Sequence, residues 1–184
     1  MSNGPKLLAH VGRLIYIQTI FDTETILKTY GKSTDCKNPT GLSHNAGQPS
    51  VMYMLTNWDN QISGQATGNL EIKAKVNDVI NWRSSTLSNN TGDAAVFNAI
   101  QTDTQGVIGT PQLMLTRPSV PVPTLPGGCP CQYSTEVITD SYWYSLVAAT
   151  GSTTYRCYFW ILTEDSSGNP IRYYYWWDPK VTVS

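Results

Sequence analysis

Residues 154–177 read TYRCYFWILTEDSSGNPIRYYYWW, and this stretch decides the fold. Two runs rich in aromatic residues, 154–163 and 171–177, flank the polar segment EDSSGNP, which contains Gly168 and Asn169. Two apolar runs joined by a short polar segment with turn-forming residues are typical of a β-hairpin. The sequence therefore predicts two antiparallel strands joined at 164–170.

Large rings lie on both faces of this predicted hairpin, because successive side chains of a strand point to opposite sides. On the first strand, Tyr155, Cys157, Phe159 and Ile161 alternate with Arg156, Tyr158, Trp160 and Leu162. On the second strand, Ile171, Tyr173, Tyr175 and Trp177 alternate with Arg172, Tyr174 and Trp176. A strand with one side in water carries mostly polar residues on that side. We therefore expect something to cover the second set of rings.

Three alternatives could cover these rings. A segment of the same chain, such as 111–130 or the N-terminal residues, could lie over the rings; a second subunit could pack there; or the rings could form a flat platform for a carbohydrate or another small ligand. The net charge of −1, with 14% charged residues, favours the second, because copies of the chain repel each other weakly. The candidates for self-association or ligand binding are Tyr158, Trp160, Tyr173, Tyr175 and Trp177.

Strand-type alternation dominates the rest of the chain as well. The clearest case runs from Leu70 to Val76, where apolar residues alternate with Glu71, Lys73 and Lys75. The pair Asn77-Asp78 then predicts a tight hairpin, and a strand resumes at 79–82. Further strands are predicted at 12–21, 51–57, 95–102, 112–116, 133–139, 142–149 and 180–183. This pattern predicts an all-β fold, an antiparallel Greek-key β-sandwich of jelly-roll or immunoglobulin-like type.

One short helix is predicted between the first two strands. Asp22 or Thr23 can accept from the free N–H groups of its first turn, and Ile26, Leu27 and Tyr30 follow at helical spacing. Gly31 is expected to end the helix in a left-handed conformation.

The length of 184 residues predicts a single domain, 1–184. Six of the eleven prolines fall between residues 111 and 130, as in a linker. However, the strands after this segment need partners on both faces, so we interpret it as an edge or crossover segment within one domain.

The composition argues against several function classes. No basic excess is present to attract nucleic acid or a membrane surface. No apolar run is long enough for a secretory signal or a membrane span, so we expect a cytoplasmic protein. The two histidines, His10 and His44, match neither a nucleophilic triad nor a copper site. We therefore predict a protein that is not an enzyme.

The four cysteines are candidate ligands for a metal ion. Cys129 and Cys131 are separated by one proline, and with Cys36 and Cys157 they could supply four thiolates to zinc. The C-x-C spacing is a weaker signal than C-x-x-C, and Cys157 alternates with large apolar residues, as a small buried thiol does. A disulfide is the other alternative. We expect reduced cysteines, no bound metal and no cofactor.

Four blocks of the sequence form a pattern that is known from one bacterial family. In chain order they are Asp22-Thr23-Glu24-Thr25-Ile26-Leu27, the block from Gly68 to Arg83, the strand from Tyr155 to Phe159, and Trp177-Asp178-Pro179-Lys180-Val181. These blocks resemble the bacterial inclusion-body proteins typified by PixA and the quorum-regulated AidA proteins. The similarity extends over nearly the whole chain. Asn77 stands where members usually have Gly, and Asn81 where Arg is common.

The resemblance implies a cytoplasmic protein that accumulates in inclusions, under quorum or stationary-phase control, and that is linked to host interaction in some members. It implies no catalytic residues. Combined with the aromatic hairpin, it leads us to predict a storage-type protein that forms at least a homodimer. The alternative is a lectin-like module that binds a glycan through the aromatic residues of the hairpin.

Overall fold

The computed structural model describes residues 12–42, 50–103, 106–123 and 133–184. Within them the chain forms one helix, α1 (Thr23–Thr29), and a 3-10 turn at Trp58–Asn60. The strands are β1 (Leu14–Phe21), β2 (Thr40–Gly41), β3 (Met52–Leu55), β4 (Gln61–Ser63), β5 (Glu71–Ala74), β6 (Val79–Thr86), β7 (Ala94–Thr102), β8 (Gln112–Thr116), β9 (Ser119–Pro123), β10 (Tyr133–Val137), β11 (Asp140–Leu146), β12 (Gly151–Glu164), β13 (Pro170–Trp177) and β14 (Lys180–Val183).

The strands form two main sheets. A five-stranded sheet has the order β3-β1-β6-β11-β8. A seven-stranded sheet has the order β2-β13-β12-β14-β5-β4, and β7 pairs with the other edge of β12. The long strand β12 pairs with β14 through residues 151–154 and with β13 through residues 157–164. The most aromatic stretch of the chain thus lies at the centre of the larger sheet.

The inner faces of the two sheets meet through aromatic rings. Phe21 of β1 stacks on Phe159 of β12 with ring centroids 4.2 Å apart, and Trp82 of β6 contacts Tyr155 edge-on at 5.4 Å. These rings belong to one buried cluster that contains residues of both sheets. Large rings bury much apolar area each and dominate core energetics, so this cluster fixes the two sheets against each other.

The all-β prediction is confirmed, but the prediction of a purely antiparallel arrangement is wrong. Three strand pairs are parallel: β1 with β6, β2 with β13, and β5 with β14. Parallel neighbours cannot be joined by a short turn. Between β1 and β6 the chain accordingly passes through α1, through β3 of the same sheet and through β2, β4 and β5 of the larger sheet.

The predicted hairpin at 70–82 is also wrong, although its turn chemistry is present. Asn77 has φ of +74°, as expected, but β5 and β6 belong to different sheets, so the turn is a crossover. Asp78 holds this crossover: its carboxylate accepts from the backbone N–H of Arg13 and Lys75 and from the Arg13 guanidinium. Burial opposes its ionisation, but these donors prevail and lower the pKa of Asp78 below its ordinary value.

The predicted helix is confirmed at its start and differs at its end. The Asp22 side chain accepts from the backbone N–H of Thr25, and Ile26 is fully buried. The helix ends at Thr29, and the capping residue Tyr30 has an extended backbone, whereas Gly31 does not adopt positive φ. The chain therefore leaves the helix by an extended cap, with no left-handed glycine.

The strands β8, β9, β10 and β11 form a long antiparallel structure, which we call the arm. β8 pairs with β11 and β9 with β10 in one continuous register, since Thr116 lies opposite Asp140 and Pro123 opposite Tyr133. The part formed by β9 and β10 is the distal ribbon. β9 was not predicted as a strand because its prolines lack an N–H donor, but an edge strand tolerates them.

Candidate functional site

The C-terminal hairpin of β12 and β13 has the predicted alternation, and its inner face belongs to the core. Tyr155, Cys157, Phe159 and Ile161 are fully buried, and Tyr175 and Trp177 are 0% and 1% exposed. Tyr175 and Trp177 were predicted on a binding platform, and this is corrected: their rings pack on Phe159 from the inner side. The sequence could not distinguish the two faces, because both carry large rings.

The other predicted site residues divide between the faces. Tyr158 and Trp160 lie on the outer face, where they are half-buried opposite Trp176 and Tyr174 of β13. Tyr173 is half-buried against the core cluster, with the Lys32 ammonium 5.4 Å from its ring centroid. The structure thus brings Tyr158 and Trp160 together on one surface and places Tyr173 away from it.

Arginine side chains lie over the rings of this outer face. Arg156 lies 5.4 Å from the ring centroid of Trp176, and Arg172 lies 5.4 Å from that of Trp160. A guanidinium on a ring face is a favourable cation–π contact. On the neighbouring strand β2, a side chain at Gly41 would come within 3.2 Å of the Trp176 indole. Cations therefore lie on the rings of Trp160 and Trp176, and β2 lies against the ring of Trp176.

The proposed cover from residues 111–130 is not found on this face in the part of that segment that the structure describes. Residues 112–116 form β8 in the smaller sheet, and residues 119–123 form β9 in the distal ribbon. The N-terminal residues 1–11, the other candidate cover, lie outside the described ranges.

The described cysteines do not form a metal site. Cys36 is exposed and Cys157 is buried, and both are free thiols. Burial raises the pKa of the Cys157 thiol well above its ordinary value, which keeps it protonated. The predicted ligands Cys129 and Cys131 lie outside the described residues, and among the described ones no group of three His, Cys, Asp or Glu side chains could hold a metal ion.

The arm exposes large apolar side chains. Tyr133 and Val137 of β10 are 68% and 69% exposed, and Leu113 and Leu115 of β8 are also exposed. Every residue of β10 is exposed, and within the described ranges β9 and β10 pair only with each other. Surface leucines scattered singly are normal, whereas a group of them on a projecting element marks an interaction surface.

A groove of about 360 Å³ lies on the outer face of the five-stranded sheet. The strands β1, β6, β8 and β11 supply its walls, and its lining residues are Leu14, Tyr16, Val79, Asn81, Arg83, Met114, Thr116, Tyr142 and Tyr144. Its size falls at the lower end of small-ligand sites, which measure about 300–1,000 Å³. Sequence analysis gave no sign of this groove, because it is assembled from four distant strands.

Asn81 lies at the centre of the groove. It is opposite Tyr16 on one neighbouring strand and Tyr144 on the other, and it is only 7% exposed. Its side-chain oxygen Oδ1 is buried and has no hydrogen-bond partner among the described residues. Buried polar atoms in native proteins nearly always have a partner, so this oxygen is an unsatisfied acceptor in the wall of the groove.

Arg83 is the cation of the groove, and its charge is already balanced. Its guanidinium pairs with the Asp140 carboxylate and lies 4.8 Å from the ring centroid of Tyr142. The Tyr144 hydroxyl donates to Gln112 Oε1 over 2.9 Å. The groove therefore combines aromatic and aliphatic walls, a neutralised ion pair and one unpaired acceptor.

The comparisons with known proteins agree with this fold. The PixA inclusion body protein family matches residues 13–183, so the chain belongs to that family, which is a structural, non-catalytic kind of protein. Among solved structures, the chain is similar to the crystal structure of inclusion body protein PixA from Burkholderia cenocepacia J2315. The TM-score is 0.75 at 20% identity, and the match covers 96% of this chain and 99% of that one. At this identity the likeness shows the fold alone.

The PixA part of the predicted resemblance is thus confirmed, whereas the comparisons give no support to the AidA part. No curated protein matches the chain. In the residues that the structure describes, no helix is both long enough and apolar enough to cross a membrane.

Proposed function

We propose that this protein is a non-enzymatic, cytoplasmic inclusion protein whose molecules self-associate through the arm. The observation that carries the proposal is the distal ribbon of β9 and β10. A two-stranded ribbon is marginally stable in water, and this one exposes Tyr133 and Val137 by more than two thirds. A second copy of the chain that packs on the ribbon would bury these side chains and stabilise the strands.

The low charge of the chain favours such packing. Among 184 residues, 12 are Lys or Arg and 13 are Asp or Glu, so copies meet with little net repulsion. The distal ribbon also has two unpaired strand edges in the described part of the chain. Unpaired edges are templates for pairing with another chain. Edge pairing and apolar contact can therefore act together at this element.

An inclusion needs more than one contact surface on each molecule, because one self-complementary patch ends in a closed dimer. The second surface we propose is the outer face of the C-terminal hairpin, where Tyr158 and Trp160 are half-buried. This face belongs to the larger sheet, whereas β8 and β11 of the arm belong to the smaller one and β9 and β10 form the distal ribbon. Molecules joined through both surfaces would extend into a packed array.

Sedimentation velocity over a range of protein concentrations tests the arm contact. We expect the unmodified protein to shift from monomer to dimer or larger species as concentration rises. Val137→Asp should weaken this association about tenfold or more, because it places a charge in an apolar contact. The matched control is Leu87→Asp, since Leu87 is 64% exposed on a turn outside the arm.

A monomer at every concentration would contradict the proposal, as would equal effects of the two substitutions. Circular dichroism of both variants checks that the fold is retained.

A carbohydrate platform on the C-terminal hairpin is the weaker candidate. Flat ring faces are what a sugar would stack on, and the guanidinium groups of Arg156 and Arg172 occupy those of Trp176 and Trp160. A glycan array should be blank for this surface. Control by quorum or growth phase and a link to host interaction, including the AidA kinship, are proposals that rest on the sequence resemblance alone.

A further inference from the structure

We infer that the groove on the five-stranded sheet is a binding site for a small, uncharged aromatic molecule that carries an N–H or O–H donor. The inference does not rest on self-association through the distal ribbon, since none of the residues that line the groove belongs to β9 or β10. It rests on the shape of the groove and on the unpaired oxygen of Asn81 within it.

The donor requirement follows from Asn81. Its neighbours Ile80 and Trp82 point into the core and are fully buried, so the Asn81 side chain points to the outer face. There Tyr16 and Tyr144 flank it in the adjacent strands. Its unpaired Oδ1 can only accept a hydrogen bond. A ligand that donates a hydrogen bond to this oxygen supplies a partner that none of the described residues provides.

The absence of charge on the ligand follows from Arg83. Its guanidinium is bound by the Asp140 carboxylate and lies on the Tyr142 ring. An anionic ligand would have to displace Asp140, and a cationic one would be repelled by Arg83. A neutral ligand leaves this pair intact and loses no ionic hydration on entering the groove.

The aromatic character follows from the walls. Leu14, Val79 and Met114 offer no hydrogen bonds, and Tyr16 and Tyr142 present ring surface. A sugar would place several hydroxyl groups against these aliphatic side chains, where they would lose their hydrogen bonds to water. A flat ring system has no such groups, and about 360 Å³ holds one or two fused rings.

The experiment uses methionine methyl groups as reporters in the full chain. Met114 lines the groove, whereas Met52 and Met54 are fully buried in the core. The protein is labelled with ¹³C at the methionine methyl groups and titrated with indole up to about 5 mM, a concentration that would populate a site with a Kd of about 1 mM. We expect the Met114 signal to shift and to reach saturation. The Met52 and Met54 signals should stay in place.

The decisive comparison is between indole and 1-methylindole, which has nearly the same shape and no N–H donor. We expect 1-methylindole to bind about tenfold more weakly, because a site that accepts a hydrogen bond discriminates against a ligand that cannot donate one. Asn81→Leu should remove this discrimination, so that both ligands bind alike. The control Asn98→Leu changes an exposed asparagine of β7 in the other sheet and should preserve it.

Two results would overturn the inference, and both come from the unmodified protein, so neither depends on the folding of a variant. One is an unmoved Met114 signal with indole. The other is equal binding of indole and 1-methylindole. Methyl β-D-glucopyranoside is tested as a third ligand. If it shifts the Met114 signal and saturates the site at a lower concentration than indole does, the groove binds a sugar and the inference of an aromatic ligand is wrong.

Discussion

The outer faces of the two sheets carry similar residues and use them differently. On the larger sheet, Arg156 and Arg172 each lie on a tryptophan ring, so cations cover these two rings. On the smaller sheet, Arg83 covers only the Tyr142 ring, and a groove stays open above Asn81. The comparison teaches that aromatic content alone does not define a site. What matters is whether neighbouring side chains cover the rings or leave the surface between them open to a ligand.

The largest expected effect is a difference in stability loss between substitutions on the two faces of β13. Trp177 lies in the core and its neighbour Trp176 on the outer face. Trp177→Ala should lower the free energy of unfolding by about 3–5 kcal/mol, as large-to-small core changes do. Trp176→Ala should lower it by about 1 kcal/mol, because the cation–π contact with Arg156 and the partial burial of the indole are lost. Urea unfolding of the two variants measures both values, and equal losses would contradict the assignment of faces.

The second prediction concerns the crossover that joins the sheets. Asp78→Asn should destabilise the fold by about 2 kcal/mol at neutral pH, since hydrogen bonds from Arg13 and Lys75 to a charged acceptor are lost. The folded-state pKa of Asp78 is lowered, so its contribution is complete above the ordinary pKa of about 3.9 and disappears as pH falls through the folded value.

Unfolding of both forms by urea between neutral and acidic pH measures this dependence. The stability difference between them should narrow below about pH 4. A difference that stays constant down to the most acidic condition would show that Asp78 does not act through its charge.

A smaller effect is expected from the cations on the larger sheet. In a double-mutant cycle of Arg172→Gln and Trp160→Leu, the coupling free energy should be about 0.5–1 kcal/mol, the value of a partly exposed cation–π pair. Urea unfolding of the two single variants and the double variant gives this value. Additive effects of the two substitutions would mean that the ring face is uncovered and available to a ligand.

The last prediction concerns the chemical reactivity of two cysteine thiols and involves no change in stability. Cys36 is exposed, and Cys157 is fully buried with a raised pKa of its thiol, so a thiol reagent should modify Cys36 in the native protein and Cys157 only after unfolding. Mass spectrometry of the proteolytic peptides assigns the modified residue. Rapid native labelling of Cys157 would contradict its place on the inner face.

The sequence predicts local features of this fold well. Alternation identified β12 and β13, and the capping residue Asp22 marked the start of α1, because both signals come from neighbouring residues. The turn at Asn77 was also predicted with its positive φ. Its interpretation as a hairpin failed because a hairpin and a crossover need the same turn, and only distant strand partners distinguish them.

The candidate sites were harder to predict for the same reason. Both faces of the C-terminal hairpin carry rings, so the sequence could not tell that Tyr175 faces the core, where burial raises its pKa to about 12. Asn81 gives a weak signal, one polar residue between Ile80 and Trp82. Its meaning depends on Tyr16 and Tyr144, which arrive from strands more than sixty residues away in each direction.

Amide hydrogen exchange as a function of protein concentration tests the central claim, self-association through the distal ribbon, most directly. We predict that exchange of the backbone amides of β9 and β10 slows as concentration rises, because a second copy covers them. Exchange of the Leu87 amide, on a turn outside both proposed contact surfaces, should not depend on concentration. Ribbon amides that exchange at the same rate in dilute and concentrated protein would contradict the claim.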